Sequence, residues 1–105
     1  MKNKKFSTRI TICKEIYDIT ENGGWRKTTT RVKSVWAHVV HTFIKGHVPY
    51  LKFYIYGGEM LPDKFCILYN KRLWKISSGP VLLPDRSRLV FSCIPMSDYG
   101  VVGNE

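Results

Sequence analysis

The residues best suited to chemistry in this chain are its histidines and cysteines. There are three of each: His38, His41, His47, Cys13, Cys66 and Cys93. His38 and His41 are three positions apart in a Val-rich run that predicts a strand, where this spacing places the two rings on opposite faces. No cysteine is close to them in sequence and no CxxC pair occurs. Each cysteine is part of a strand-like run, so all three are expected to be buried as small hydrophobic residues. We therefore expect no metal site and no cofactor.

The carboxylates offer no paired general acid and base. The eight Asp and Glu residues are dispersed, and several follow proline in turn contexts. Cys66 is part of the apolar run KFCILY, where burial raises the pKa of a thiol and makes it a poor nucleophile. The pair Gly57-Gly58 is not followed by GK[ST], so it predicts a turn and not a phosphate loop. We predict that the protein is not an enzyme.

Length and composition predict one globular domain. The chain has 105 residues, of which 44% are hydrophobic. No stretch approaches the roughly 18 apolar residues of a membrane helix, and no signal peptide is evident. We expect a soluble protein of the cytoplasm that does not contact a membrane. Its predicted parts are a flexible basic N-terminus (residues 1–5), a β-barrel domain (6–94) and a C-terminal extension (95–105).

The charge balance leaves the partner open. Seventeen Lys and Arg against eight Asp and Glu give a net charge of +9. Such a surface favours nucleic acid, acidic proteins or anionic lipid. Because the cations are dispersed along the chain, a purely solubilising role is an equal alternative. Arg86 and Arg88, after Pro84-Asp85, are assigned to a turn.

Short alternating segments predict an all-β fold. The turn signals Asn-Gly, Gly-Gly, Asn-Lys and Pro-Asp separate runs with a two-residue hydrophobic period. The expected fold is a small single-domain β-barrel of about six mostly antiparallel strands, with one longer central loop over 41–50. The predicted strands are residues 6–14, 26–40, 51–56, 64–69, 72–78 and 88–93.

Two predicted strands are apolar on both faces, which suggests a packing partner on each side. In the run 26–40, Val35, Ala37 and Val39 share one face, and Trp36 shares the other with His38 and Val40. The sequence does not decide which of these faces is inward. One partner could be another subunit.

A basic and aromatic face is predicted on residues 51–56. Leu51, Phe53 and Ile55 are expected to face inward, which places Lys52, Tyr54 and Tyr56 outside. Small OB- or SH3-like barrels use such a face to stack single-stranded nucleic acid bases. Tyrosine is also enriched at subunit interfaces, which is the alternative we favour.

Taken in order, the segments resemble those of the head–tail joining proteins of tailed phages, also called head-closure, stopper or head–tail adaptor proteins. The matching pieces are RITI (9–12), VWAHV (35–39), LKFYIYGG (51–58), the hairpin MLPDKFCILYNKRLWKISS (60–78) and PDRSRLVFSC (84–93). Two features depart from the family pattern. Asn70-Lys71 replaces the usual Asn-Gly, and the central loop is short.

The resemblance implies a β-barrel that assembles into a ring, commonly a dodecamer, between the portal or adaptor protein and the tail terminator or tail tube. Packaged double-stranded DNA would pass through the lumen without sequence readout. Such a protein assembles in the bacterial cytoplasm and resides at the head–tail interface of a phage, a prophage particle or a gene transfer agent. On this view the central loop directs Thr42, Lys45 and His47 to the lumen, and Trp36, Tyr54 and Tyr56 form subunit contacts.

Overall fold

Six strands account for the fold in a computed structural model that describes residues 6–43, 46, 49–85 and 87–96. Lys45, His47 and Arg86 lie outside the described residues, as do the predicted N-terminal segment 1–5 and residues 97–105 of the predicted extension. The strands are β1 (Thr8–Ile19), β2 (Trp25–Thr42), β3 (Tyr50–Tyr56), β4 (Phe65–Tyr69), β5 (Arg72–Leu82) and β6 (Arg88–Pro95).

The strands form a closed antiparallel barrel in the order β1-β2-β3-β6-β5-β4. The barrel closes where β4 pairs with β1, from Thr11 opposite Leu68 to Lys14 opposite Phe65. Closure removes exposed sheet edges along the paired length. The predicted all-β barrel of six antiparallel strands is confirmed.

The first hairpin is longer than predicted. β1 continues through Ile19, which lies opposite Trp25, past the predicted end of the strand at Lys14. The segment after Lys14 carries no strong apolar alternation because it has no core beneath it. Its pairing comes instead from the Asn22-Gly23-Gly24 turn, which holds the two strands in register. β5 likewise continues to Leu82, past the predicted end at residue 78.

The core follows the two-residue period of the strands. Ile10 and Ile12 of β1, with Leu51, Phe53 and Ile55 of β3, are almost fully buried. The main core also contains Val35, Ala37, Phe65, Ile67, Phe91 and Cys93. No buried polar or charged residue occurs in the described part of the chain. Burial of this apolar surface is the main favourable contribution to folding.

Aromatic rings fill the centre of the barrel. Phe53 lies opposite Phe91 across β3 and β6, and their rings stack with centroids 5.6 Å apart. Phe65 meets Phe91 edge to face at 5.4 Å, and Tyr69 meets Phe53 in the same way at 5.8 Å. These are the preferred geometries of aromatic pairs.

A second apolar cluster of buried residues lies apart from the main core. It contains Cys13, Cys66, Leu73 and Met96, with Leu68 packed against them. The backbone N–H of Met96 donates a hydrogen bond of 3.1 Å to the carbonyl of Leu73. β6 and the residue after it therefore extend past the predicted domain boundary at 94. All three cysteines are buried, as predicted.

The β4–β5 turn adopts the conformation that its sequence disfavours. Asn70 and Lys71 both have positive φ angles, 56° and 63°. Positive φ at both central residues is the type I′ arrangement that suits the twist of a two-residue hairpin. Asn tolerates this region, whereas Lys does so at a cost. The closed ladder on both sides of the turn holds Lys71 there.

Candidate interaction surface

The structure decides which side of β2 faces outward. Val35 and Ala37 are buried in the core, whereas Trp36 between them is 51% exposed. His38 lies opposite Tyr54 on the same outer side. Of the two apolar faces that the sequence shows, the one with Val35 and Ala37 therefore faces the core, and the one with Trp36 and His38 faces solvent.

Trp36 has a cationic neighbour on β1. Arg9 lies directly opposite Trp36, and its guanidinium carbon is 4.8 Å from the centroid of the ring. A cation over an aromatic face is attracted by the ring quadrupole. The pair is held by the strand register and remains accessible to solvent.

Tyr54 is bordered by two nitrogen-bearing side chains. The His38 ring lies 5.7 Å away, centroid to centroid, and tilted by 36°. The guanidinium of Arg88, from β6, is 5.3 Å from the Tyr54 centroid. Tyr54 is thus contacted from the strand on each side of it.

Tyr56 extends the same surface. It is 62% exposed and lies opposite Arg88. A Cβ atom added at Gly58 would meet the Tyr56 ring at 2.6 Å, so this ring rests on the glycine backbone. Ala37 pairs with Ile55, and Trp36 and Tyr56 are the next residues along their antiparallel strands, so these two side chains are neighbours.

These side chains form one continuous surface across β1, β2, β3 and β6, which we call the outer face. Its members are Arg9, Trp36, His38, Tyr54, Tyr56 and Arg88. It contains two arginines and no carboxylate, so its charge is positive at neutral pH. It can stack on flat rings, accept apolar side chains and pair with anions.

The predicted site residues are placed as follows. Trp36, Tyr54 and Tyr56, expected to form subunit contacts, come together on the outer face. Lys52 points to the same side, between Val40 and Ser92. Thr42 is half-buried at the far end of β2, opposite Tyr50. Lys45 and His47 lie outside the described residues, so the predicted lumen-facing set stays a prediction.

Sequence reasoning did not identify the contacts of the two arginines. Arg88 was assigned both to the turn after Pro84-Asp85 and to the start of the strand 88–93; it is the first residue of β6 and contacts Tyr54. Arg9 alternates with Ile10 and so was expected to face outward, yet nothing local identifies Trp36 as its partner. Both contacts depend on strand register between segments far apart in the sequence.

The remaining polar side chains mostly stabilise structure. Lys33 and Glu59 form an ion pair of 2.7 Å that joins β2 to the β3–β4 loop. The Ser87 backbone N–H donates a hydrogen bond of 2.9 Å to the Asp85 carboxylate, which lowers the pKa of that carboxyl group.

His38 and His41 point to opposite faces of β2, as predicted, and His41 lies near Tyr69. No group of three or more His, Cys, Asp or Glu side chains is arranged for a metal ion among the described residues.

Fold and surface together define a small closed antiparallel β-barrel with an aromatic, basic outer face. No protein-family model matches the chain, and no curated protein matches it either. Among solved structures, the chain is similar to the solution structure of protein SF1141 from Shigella flexneri 2a. The TM-score is 0.71 at 17% sequence identity, over 94% of this chain and 100% of that chain. This likeness shows a shared fold.

The described residues contain no helix with the length and apolarity needed to cross a bilayer.

Proposed function

We propose that this chain is a non-enzymatic assembly protein, a head–tail connector of a tailed phage or phage-like particle. It forms a ring between the portal or adaptor protein and the tail terminator or tail tube, and packaged DNA passes through the ring. The resemblance of its ordered segments to head–tail joining proteins supports this proposal, as does the six-stranded barrel expected from that resemblance.

The outer face is the observation that carries the proposal. Trp36 and Tyr56 expose more than half of their surface, although large aromatic side chains gain most from burial. Aromatic residues and arginine are the types enriched in protein interfaces and in their energetic hot spots. A subunit contact at the outer face would remove these rings from water.

The interior of the barrel supports a function at the surface. Stacked and edge-to-face phenylalanines occupy its centre, and the side chains around them are apolar. In a barrel of this size, side chains fill the space that a wider barrel would offer to a ligand. Function is therefore assigned to the surface of the barrel.

Native mass measurement tests the proposal. The purified chain is measured alone and after mixing with a portal or adaptor ring of a tailed phage. We expect a ring or a ring-on-ring complex in the mixture. The double variant Trp36→Ala/Tyr56→Ala should lose this complex. Met60→Ala is the matched control, because Met60 is 80% exposed and belongs to the β3–β4 loop, outside the strands that carry the outer face.

A wild-type chain that stays monomeric in both samples would exclude the connector function. Equal complex formation by the double variant and by Met60→Ala would exclude the outer face as the contact surface, even if a ring forms. Circular dichroism of each variant verifies that the barrel is folded.

A second candidate function is the binding of single-stranded nucleic acid. The observation that favours it is the placement of cations beside rings: Arg9 on Trp36 and Arg88 on Tyr54. Lys52 points to the same side as these pairs. Bases stack on such platforms while the cations contact phosphate.

Oligonucleotide titration at two salt concentrations separates the two functions. A single-strand binder should show micromolar affinity that weakens with added salt and is lost in Tyr54→Ala. Binding that is unchanged in Tyr54→Ala, or no binding at low salt, would exclude this second function.

A further inference from the structure

The distal half of the first hairpin extends beyond the barrel. β1 pairs with β4 only from Thr11 to Lys14, whereas it pairs with β2 as far as Ile19 opposite Trp25. Residues 16–28 therefore form a two-stranded projection, which we call the arm. The molecule measures 53 Å along its longest axis and 34 Å along the next, consistent with such a projection.

The arm presents apolar side chains to solvent. Tyr17, Ile19 and Trp25 are 54%, 65% and 71% exposed. Ile19 lies opposite Trp25, and Tyr17 is two residues before Ile19 on the same face, so the three side chains adjoin. An isolated two-stranded hairpin is at best marginally stable in water. A partner that covers this face would stabilise the arm and remove its apolar surface from water.

The tip of the arm is well defined. The backbone N–H of Thr20 donates to the carbonyl of Gly24 at 2.7 Å, and that of Gly23 donates to the carbonyl of Thr20 at 3.0 Å. The Thr20 hydroxyl oxygen also accepts a hydrogen bond of 3.1 Å from the Gly24 N–H. These bonds keep Ile19 and Trp25 together at the end of the hairpin, so the apolar surface is preorganised for contact.

The arm carries less positive charge than the rest of the molecule. Its residues 16–28 include two acids, Asp18 and Glu21, and two cations, Arg26 and Lys27, so the arm is neutral overall. Asp18 is paired with Arg26 at 3.6 Å, and Glu21 is exposed at the turn. The outer face carries Arg9 and Arg88 without a carboxylate. Because the whole chain has a net charge of +9, a neutral arm with Glu21 at its tip meets less repulsion from a second copy than a basic surface would.

We propose that the arm of one copy docks on the outer face of a second copy. In this contact Tyr17, Ile19 and Trp25 pack against Trp36 and Tyr56, and Glu21 at the turn lies near the two arginines. The inference rests on the proposed self-assembly and specifies the surfaces that carry it.

The contact joins two different surfaces and is therefore heterologous. Each copy provides one arm and one outer face, so every subunit binds two neighbours. A head-to-tail contact of this kind generates a closed ring when its rotation closes. An arm-to-arm contact would instead stop at a dimer.

The experiment compares two surface variants and their mixture. The arm variant is Ile19→Ser/Trp25→Ala, and the face variant is Trp36→Ala/Tyr56→Ala. All altered side chains are more than half exposed, so each variant should fold, and thermal melts verify this. Sedimentation and native mass are measured at protein concentrations up to about 1 mM. A contact whose Kd is weaker than this contributes little specific affinity.

We expect the wild-type chain to assemble and each variant alone to weaken assembly at least tenfold. The equimolar mixture should recover a dimer and no larger species, because the arm of the face variant can dock on the outer face of the arm variant. Met60→Ala should assemble like the wild type.

Three results would overturn the arm contact. A wild-type chain that is monomeric at about 1 mM has no such contact. Full assembly of the arm variant would assign self-association to another surface. Loss of assembly in both variants without dimer recovery in the mixture would exclude the head-to-tail arrangement. In each case the connector function is tested separately by mixing with the portal or adaptor ring, so the two failures are distinguishable.

Discussion

Cys13 lies directly opposite Cys66 where β1 and β4 close the barrel, and both residues are buried. A hydrogen bond from the Cys66 thiol lowers the pKa of Cys13, and the Arg31 guanidinium acts in the same direction. The same hydrogen bond, together with burial, raises the pKa of Cys66. The two thiols thus face each other across the seam that completes the barrel.

This pairing predicts a cross-link under oxidation. Opposed residues in antiparallel strands have Cα atoms about 4.5–5.5 Å apart, within the range that a disulfide spans. Diamide should accept the two thiol hydrogens and leave a Cys13–Cys66 disulfide, detected by intact mass and peptide mapping. The bond closes a loop of roughly 50 residues and should raise the free energy of unfolding by at most about 4 kcal/mol.

The third cysteine provides the control for that experiment. Cys93→Ala should form the same cross-link, whereas Cys13→Ser should not form it. A disulfide that involves Cys93 in the folded wild type would contradict the register between β1 and β4.

Alkaline pH should destabilise the fold through Cys93. Burial raises the pKa of this thiol above its ordinary value of 9.0. The folded state therefore keeps the proton at a pH where the unfolded chain releases it. This contribution to stability is complete below about pH 9 and declines as the pH rises further. Urea unfolding at pH 7 and pH 10 should show a smaller loss for Cys93→Ala than for the wild type.

Val35→Ala is the matched control for the pH experiment. It also removes buried apolar atoms, at a cost of about 1–3 kcal/mol, but it removes no titrating group. Its free energy of unfolding should decrease between pH 7 and pH 10 by the same amount as that of the wild type. An equal decrease in Cys93→Ala would show that Cys93 does not contribute to the pH dependence.

Lys71→Gly should stabilise the protein. Lys71 holds a φ of 63° at the second central position of the β4–β5 turn, where glycine carries no Cβ penalty. We expect a gain of about 1 kcal/mol in the free energy of unfolding, measured by urea denaturation. Lys75→Gly, within β5, should instead lose about 0.5–1 kcal/mol. A loss in both variants would argue against a type I′ turn at Asn70-Lys71.

Gly79→Ala should destabilise the β5–β6 pair. Gly79 has a φ of 86°, and an added Cβ would lie 2.7 Å from the Val90 carbonyl oxygen and 3.1 Å from the Phe91 Cα. Backbone strain of this kind costs about 1–3 kcal/mol, and the backbone contact adds to it. Thermal melts should show a clear drop in Tm. Gly24→Ala, whose Cβ would meet only the Thr20 hydroxyl at 3.5 Å, should change Tm little.

Much of the fold could be predicted from the sequence because it depends on local alternation. The inward positions of Ile10, Ile12 and Phe53 follow from the two-residue period of a half-buried strand. The Asn70-Lys71 turn was identified by its place between two apolar runs. The burial of all three cysteines followed from their apolar neighbours.

The strand boundaries were less predictable. Glu15 to Ile19 lacks a buried face, so its sequence is typical of a loop, yet it pairs along its whole length with β2. The pairing of this segment is decided by the Asn22-Gly23-Gly24 turn and by the neighbouring strand β2. The Asn22-Gly23-Gly24 signal predicted a hairpin here, but the length of its two strands was not predicted.

By themselves, the composition and the alternation of this chain specify a small barrel with more aromatic side chains than its core needs. Only the tertiary structure decides that Trp36 faces outward beside Arg9 and that Arg88 contacts Tyr54. Only closure of the barrel brings Cys13 opposite Cys66. These relationships join residues far apart in the sequence, and their register depends on how all six strands pair around the ring, a constraint that no local pattern contains.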